Sequence, residues 1–267
     1  MSAVANAIAL LGVGILAGIV STVASLASVV SYPALLALGL SSVSANVTNT
    51  VALMFTGIGA TAGSRPELAG QAHRVRAIGL LTAAGGGTGA AVLLLTPARG
   101  FEYAAPLLIA LGSVLLLRHG RPGGSQETGA APAEEVGSPG DDVATTGRHG
   151  SWLSRAAVFG VAVYIGYFGA AGGIIMLATL SRMYVQPLAK ANALKNVISS
   201  LANAVAGVGF AIFGPVRWSA AVPLAAGFLI GGWIGPSLVR RLPGIGLRIF
   251  IGLCGLAVAV RLALNTY

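Results

Sequence analysis

The chain reads as an all-α polytopic membrane protein. We expect two inverted-topology repeats, each a broken or re-entrant hairpin plus three transmembrane helices, about eight full spans and re-entrant pieces in all. Three observations predict this. Of 267 residues, 55% are hydrophobic and 9% charged, with mean hydropathy +0.85, more apolar surface than a soluble domain can cover. The cations are distributed unequally between alternate loops. And two short stretches nearly repeat deep in apolar sequence: Ala45-Asn46-Val47-Thr48-Asn49-Thr50 and Ala191-Asn192-Ala193-Leu194-Lys195-Asn196, 146 positions apart (192 − 46 = 146).

No Lys, Arg, Asp or Glu precedes Arg65. The start therefore lacks the basic flank of a cleaved signal peptide and is expected to be a membrane segment. Region 4–40 is too long for one span and is interrupted by Ser21, Thr22, Ser25, Ser28, Ser31, Tyr32 and Pro33. It predicts a broken hairpin, with Pro33 in the first turn of its re-entrant helix. Spans follow at about 44–63, 77–96 and 101–117, which closes a first repeat over 1–118. Residues 119–151 are rich in Gly, Pro, Ser and Thr and carry Glu127, Glu134, Glu135, Asp141 and Asp142. That composition predicts a flexible cytoplasmic linker. The second repeat, 152–267, opens with a region 154–188 broken at Gly166, Gly169, Gly172 and Gly173, then spans at about 191–213, 217–239 and 246–264.

Charge sets the orientation. Arg65, Arg74, Arg76, Arg118, Arg121, Arg148, Arg155, Arg182, Lys190, Arg240, Arg241 and Arg248 fall in one set of loops, and Arg99, Arg217 and Arg261 in the other. The rich set is expected in the cytoplasm and both termini outside, in a cell (plasma or inner) membrane. Region 154–188 must then enter and return on the cytoplasmic side and region 4–40 on the outside, which inverts the halves. The net charge of +9 fits an anionic inner leaflet. The partner is a lipid bilayer, and no nucleic acid is expected. Trp152, Trp218 and Trp233 read as interfacial anchors or packing residues, and Cys254 as a small apolar residue.

Polar side chains at membrane depth are expensive and default to a functional reading. Asn192, Lys195, Asn196 and Ser199 share one helical face (i, i+3, i+4, i+7). Asn46, Asn49 and Thr50 occupy the matching face of the first repeat. With Ser25 in the first hairpin and Gly172 and Gly173 in the second, these form the candidate substrate site. The duplication suggests one site built by both halves, between half-helix ends that favour anions. The bland alternatives are Asn and Thr joining helices and Lys195 snorkelling to the cytoplasmic surface. All seven acids and all three histidines fall in loops or at span edges, so none can relay protons at depth. A buried cation there is stabilised most simply by a small anionic substrate or by losing its proton. No spacing fits a metal site, a catalytic triad or a phosphate loop, so no cofactor and no enzyme activity are expected. A coupling ion, sodium or proton, is left open, as is the oligomeric state. An anion channel and a non-transporting membrane partner or scaffold subunit are the competing functions.

The chain resembles the sulfite exporter TauE/SafE family of membrane permeases. The resemblance rests on Pro33-Ala34-Leu35-Leu36-Ala37-Leu38-Gly39-Leu40, Ser44-Ala45-Asn46-Val47-Thr48-Asn49-Thr50 and Arg65-Pro66-Glu67-Leu68, with Gly169–Gly173 and Ala191-Asn192 as second-half counterparts. It implies a permease for sulfite, an organosulfonate or a related sulfur oxyanion, working by alternating access between the repeats. It also implies that Asn46, Asn49, Asn192 and Lys195 are polar site residues. The chain departs from the family's Gly-rich first break, reading Val23-Ala24-Ser25-Leu26-Ala27-Ser28. Because nothing in 119–151 resembles a packed element, shortening that linker should leave membrane insertion intact, as judged by expression in the membrane fraction; loss of insertion would contradict the reading.

Overall fold

Residues that must hide polar backbone in an apolar solvent form helices, and the computed structural model, which describes residues 3–119, 148–239 and 260, contains helices and no strand among those residues. They are α1 (Ala3–Ala24), α2 (Ala27–Ala37), α3 (Ser42–Gly63), α4 (Arg65–Leu68), α5 (Ala72–Leu95), α6 (Ala98–His119), α7 (Arg148–Tyr167), α8 (Gly172–Met183), α9 (Leu188–Phe213) and α10 (Trp218–Val239). By length and composition four are apolar enough to cross a membrane: α1 through Val4–Thr22, α5, α9, and α10 through Trp218–Leu238. The helices that cover the spans expected at 77–96, 101–117 and 191–213 begin three to five residues earlier (77 − 72, 101 − 98, 191 − 188), because His73, Arg74, Arg76, Arg99 and Lys190 extend them past their apolar parts. At the spans expected over 44–63 and 101–117, α3 and α6 form helices but are not among the four. The span expected at 246–264 and Cys254 lie outside the described residues. So does most of the linker, of which His119 ends α6 and 148–151 belong to α7.

Both long apolar regions are broken. The first breaks at Ser25–Leu26, where Ser25 adopts φ 58°, and the second over 168–171, where Gly169 has φ 73° and Ala171 φ 58°. Left-handed backbone is costly for a residue with a Cβ, so Ser25 and Ala171 are held there by their surroundings. Pro33 is not in the first turn of the re-entrant helix, as expected, but is the seventh residue of α2 (counting from Ala27). The hydroxyl-rich Ser25 step, rather than the proline, breaks the chain. The helix α2 ends in a Schellman turn: Leu40 N–H donates to the Leu35 carbonyl (3.3 Å) and Gly39, with φ 82°, donates to Leu36 (2.9 Å).

Glycines set how the helices run. Gly14 lies against Leu224 and Gly227, and Gly18 against Phe228 and Gly231, so α1 and α10 are parallel; Gly59 against Leu229 and Gly63 against Pro236 make α3 parallel to α10. Likewise Gly85 meets Phe159 and Ala162 while Gly89 meets Val163 and Gly166, and Gly86 meets Ala202 while Gly209 meets Ala90. Thus α5, α7 and α9 share a direction. The two sets oppose one another, because Gly57 faces Ser200 while Gly207 faces Thr50. Small residues let these backbones approach closely. A Cβ on Gly86 would sit 2.4 Å from the Ala202 carbonyl oxygen, and one on Gly232 2.6 Å from that of Thr56.

These two contacts correspond residue for residue at a constant shift (232 − 86 = 146; 202 − 56 = 146). The left-handed residues Ser25 and Ala171 have the same spacing (171 − 25 = 146), as do the starts of α3 and α9 (188 − 42 = 146). The packing partners correspond as well: α1 on α10 as α7 on α5, and α3 on α10 as α9 on α5. Overpacking a tight site costs about 1–3 kcal/mol. Gly86→Ala and Gly232→Ala should therefore each lower the melting temperature of the purified protein by several degrees. Gly12→Ala, with nothing within 4 Å of the added Cβ, should not.

Candidate functional site

The two breaks meet inside the bundle. A Cβ on Gly173 would lie 2.6 Å from Ser25 Cβ and Oγ and 3.5 Å from Lys195 Cδ, and Leu26, Val29 and Ala171 form one small apolar cluster. Beside this crossing is a cavity with about 550 Å³ of empty space, a figure that includes the open space at its mouth. Its wall comes from both halves: Ser21, Ser25 and Ser28 around the first break, Thr56 on α3, Gly169 and Gly173 at the second break, and Lys195, Asn196, Ser199, Ser200 and Asn203 on α9. The first turns of α2 and α8 both reach the wall, through Ala27 and Ser28 and through Gly173, so two helix N-termini contribute positive potential there.

Lys195 is the charged member of the described wall. It is 2% exposed, and its Nζ donates to Ser25 Oγ at 2.7 Å. The side chain thus points into the cavity and does not snorkel. Taking such a charge out of water is costly unless it is balanced, and opposite charges 4 Å apart attract by about 4 kcal/mol at an effective dielectric of 20. Three more polar atoms of the wall, Asn196 Nδ2, Ser199 Oγ and Thr56 Oγ1, are buried and make no hydrogen bond. Buried polar atoms are nearly always satisfied, so three unsatisfied ones around one cavity leave donors available to water or to a ligand there.

Of the residues expected to bind substrate, Ser25, Gly173, Lys195 and Asn196 line the cavity. Gly172 is buried against Ile165 and Tyr164, one residue behind the wall. Asn49 stands behind Ser28: it donates to Ser28 Oγ (3.2 Å) and accepts from Ser31 (2.6 Å). Thr50 donates to the Asn46 carbonyl in its own helix (2.9 Å). Asn46 Nδ2 donates to the Tyr167 carbonyl at 3.0 Å, and Asn192 Nδ2 to the Thr22 carbonyl at 3.2 Å.

The two asparagines therefore do not share one site. Because α3 and α9 are antiparallel, matching positions are carried to opposite sides of the Gly57–Ser200 contact, ~16 Å along one helix (57 − 46 = 11 residues) and ~12 Å along the other (200 − 192 = 8) at 1.5 Å per residue. Sequence reasoning omitted Thr56, Ser200 and Asn203 and left Ser199 out of the site, although Asn196, Ser199, Ser200 and Asn203 continue the polar face of Lys195 at i, i+3, i+4 and i+7.

Long apolar helices, two broken ones and a cationic cavity between them define a multi-pass membrane protein of transporter type. The family model for the sulfite exporter TauE/SafE matches residues 10–262, and the chain belongs to that family. Neither the curated proteins nor the solved structures include a match. Adding one methyl group at Gly173 would push directly on Ser25 and on the Lys195 stem. Gly173→Ala should weaken anion binding at least tenfold while the protein stays folded in the membrane, as read by ligand-induced thermal stabilisation; unchanged binding would dissociate the cavity from the ligand.

Proposed function

We propose that the protein is a permease for a small sulfur oxyanion, sulfite or an organosulfonate, which binds at Lys195 and crosses by alternating access between two inverted repeats. The observation that carries the reading is the cavity itself. A buried lysine, unsatisfied amide and hydroxyl groups and two helix N-termini converge on one space, and the family is one of sulfite exporters. No carboxylate or imidazole stands among the described lining residues, which suits an anion and disfavours a cation.

The repeat architecture draws support from the constant shift of 146 (192 − 46 = 146) and from the opposed directions of equivalent helices: α1 against α7, α3 against α9, α10 against α5. Both α1 and α3 start at one end of the bundle, and both α7 and α9 at the other. Each broken segment must therefore go in and come back on its own side. At the end where α9 begins, the Gln71 side chain donates to the Lys190 carbonyl (3.1 Å) and Arg74 bonds Gln186. These are residues of the cation-rich loops, which supports reading that end as the cytoplasmic one. Two opposed sets of helices around a central site, α1, α3 and α10 against α5, α7 and α9, can rock to expose it to either side.

A hydrogen bond to a charged group contributes about 1.5–3 kcal/mol, roughly a 10–150-fold change in affinity. Lys195→Ala should therefore abolish sulfite- or methanesulfonate-induced stabilisation and flux into proteoliposomes while insertion is retained. Wild-type flux in a well-expressed variant would refute the proposal.

A further inference from the structure

The cross-half hydrogen bonds of Asn46 and Asn192 assign these residues a role other than substrate binding. Each accepting carbonyl belongs to the last turn of a broken helix: Thr22 in α1, which ends at Ala24, and Tyr167 in α7, which ends at Tyr167. The last four carbonyls of a helix have no donor within it. In an ordinary span they would meet water or headgroups, but here Thr22 is buried and Tyr167 is partly buried within the protein. The side chain that satisfies each one comes from the opposite half: Asn46 on α3 serves α7, and Asn192 on α9 serves α1. Asn46 is 1% exposed, and neither asparagine lines the cavity.

The two bonds lie on opposite sides of the crossing. Asn46 sits toward the end where Ser44 donates to the Pro215 carbonyl (2.8 Å) and Arg217 N–H donates to Thr48 Oγ1 (3.0 Å). Asn192 sits toward the end where Gln71 and Arg74 meet the α8–α9 segment. Helices α1, α3 and α10 pack as one set and α5, α7 and α9 as another, and the two meet through α3 and α9. Both asparagine bonds cross between the sets, so a rocking of one set against the other would open one side at a time, lengthening the bond there and leaving the other in place.

We infer that Asn46 and Asn192 are a reciprocal pair of clamps, one holding the outer side of the permease closed and the other the cytoplasmic side, so that each favours the state in which the opposite side opens. This rests on the alternating-access reading above. It makes them positioning residues: they act on the broken helices that frame the cavity, and the duplication of the Ala-Asn motif is the duplication of a clamp.

The test places a reporter cysteine in the wall, Ser199→Cys in a Cys254→Ala background, and measures its labelling by a charged, membrane-impermeant methanethiosulfonate in right-side-out and inside-out vesicles. Asn46→Ala should raise the labelling rate from the outside and lower it from the cytoplasmic side, and Asn192→Ala should do the reverse. Each shift should be about 2–10-fold, the population change that one buried hydrogen bond carries. Asn46→Leu and Asn192→Leu, which keep the side-chain volume and lose the donor, should behave alike and serve if an alanine variant does not insert. Shifts toward the same side, or labelling unchanged in all variants, would overturn the inference. Methanesulfonate-induced stabilisation, measured in parallel, should persist in the clamp variants and vanish in Lys195→Ala. Persistence in Lys195→Ala would instead remove the binding reading and with it the basis of the clamps.

Discussion

A lysine buried within an apolar bundle constrains everything around it. Lys195 reaches Ser25 Oγ at 2.7 Å only because Ser25 turns out of α1 with φ 58° and because Gly173 presents no side chain where the two would collide. A straight α1 would carry the hydroxyl elsewhere, and a methyl group at Gly173 would occupy its place. The charge thus requires the first break, the first break requires a glycine in the second, and the second break brings the N-terminus of α8 to the same space. The cavity is the region these three requirements share.

The surrounding helices hold that crossing in register through close backbone contact rather than through large side chains. Gly86 on Ala202 and Gly232 on Thr56 are equivalent contacts in the two halves. Each joins a helix of one half to a helix of the other at a separation that no larger residue permits. An aromatic cluster packs the first hairpin against the second break: Tyr32 and Phe168 meet edge to face at 5.8 Å, and Phe101 stands 5.6 Å from Phe168. At the same shift the two halves differ in residue type: Asn49 stands where Lys195 does (195 − 49 = 146), and the first hairpin carries Ser28 and Ser31 where the second carries Ile174 and Leu177 (174 − 28 = 146; 177 − 31 = 146).

Much of this was legible in the sequence. Hydropathy marked the helices, and the repeated Ala-Asn pair gave the 146-residue spacing at which the packing contacts correspond (192 − 46 = 146). Lys195, Asn196, Ser25 and Gly173 could be placed together because membrane burial of a polar group is costly wherever it occurs. What the sequence did not reveal is the opposed direction of α3 and α9. Periodicity puts Asn46 and Asn192 on matching faces, but antiparallel helices send matching residues to opposite ends, and only the packing of α3 on α9 discloses this. The break at Ser25 was obscured because no glycine marks it; a left-handed serine is fixed by its tertiary contacts. Thr56 was missed because a single threonine within α3 carries no signal until a helix from the other half is laid beside it.

The central claim, that an oxyanion lies between Lys195 and the unsatisfied donors of α3 and α9, is tested most directly by locating one. In crystals grown with a bromine-labelled alkanesulfonate, anomalous scattering fixes the ligand independently of any model of the protein. The account predicts a bromine peak inside the cavity, with the sulfonate oxygens within hydrogen-bond distance of Lys195 Nζ and of Asn196, Ser199 or Thr56. A peak beside Asn46 and Tyr167, with the cavity occupied only by water, would contradict it.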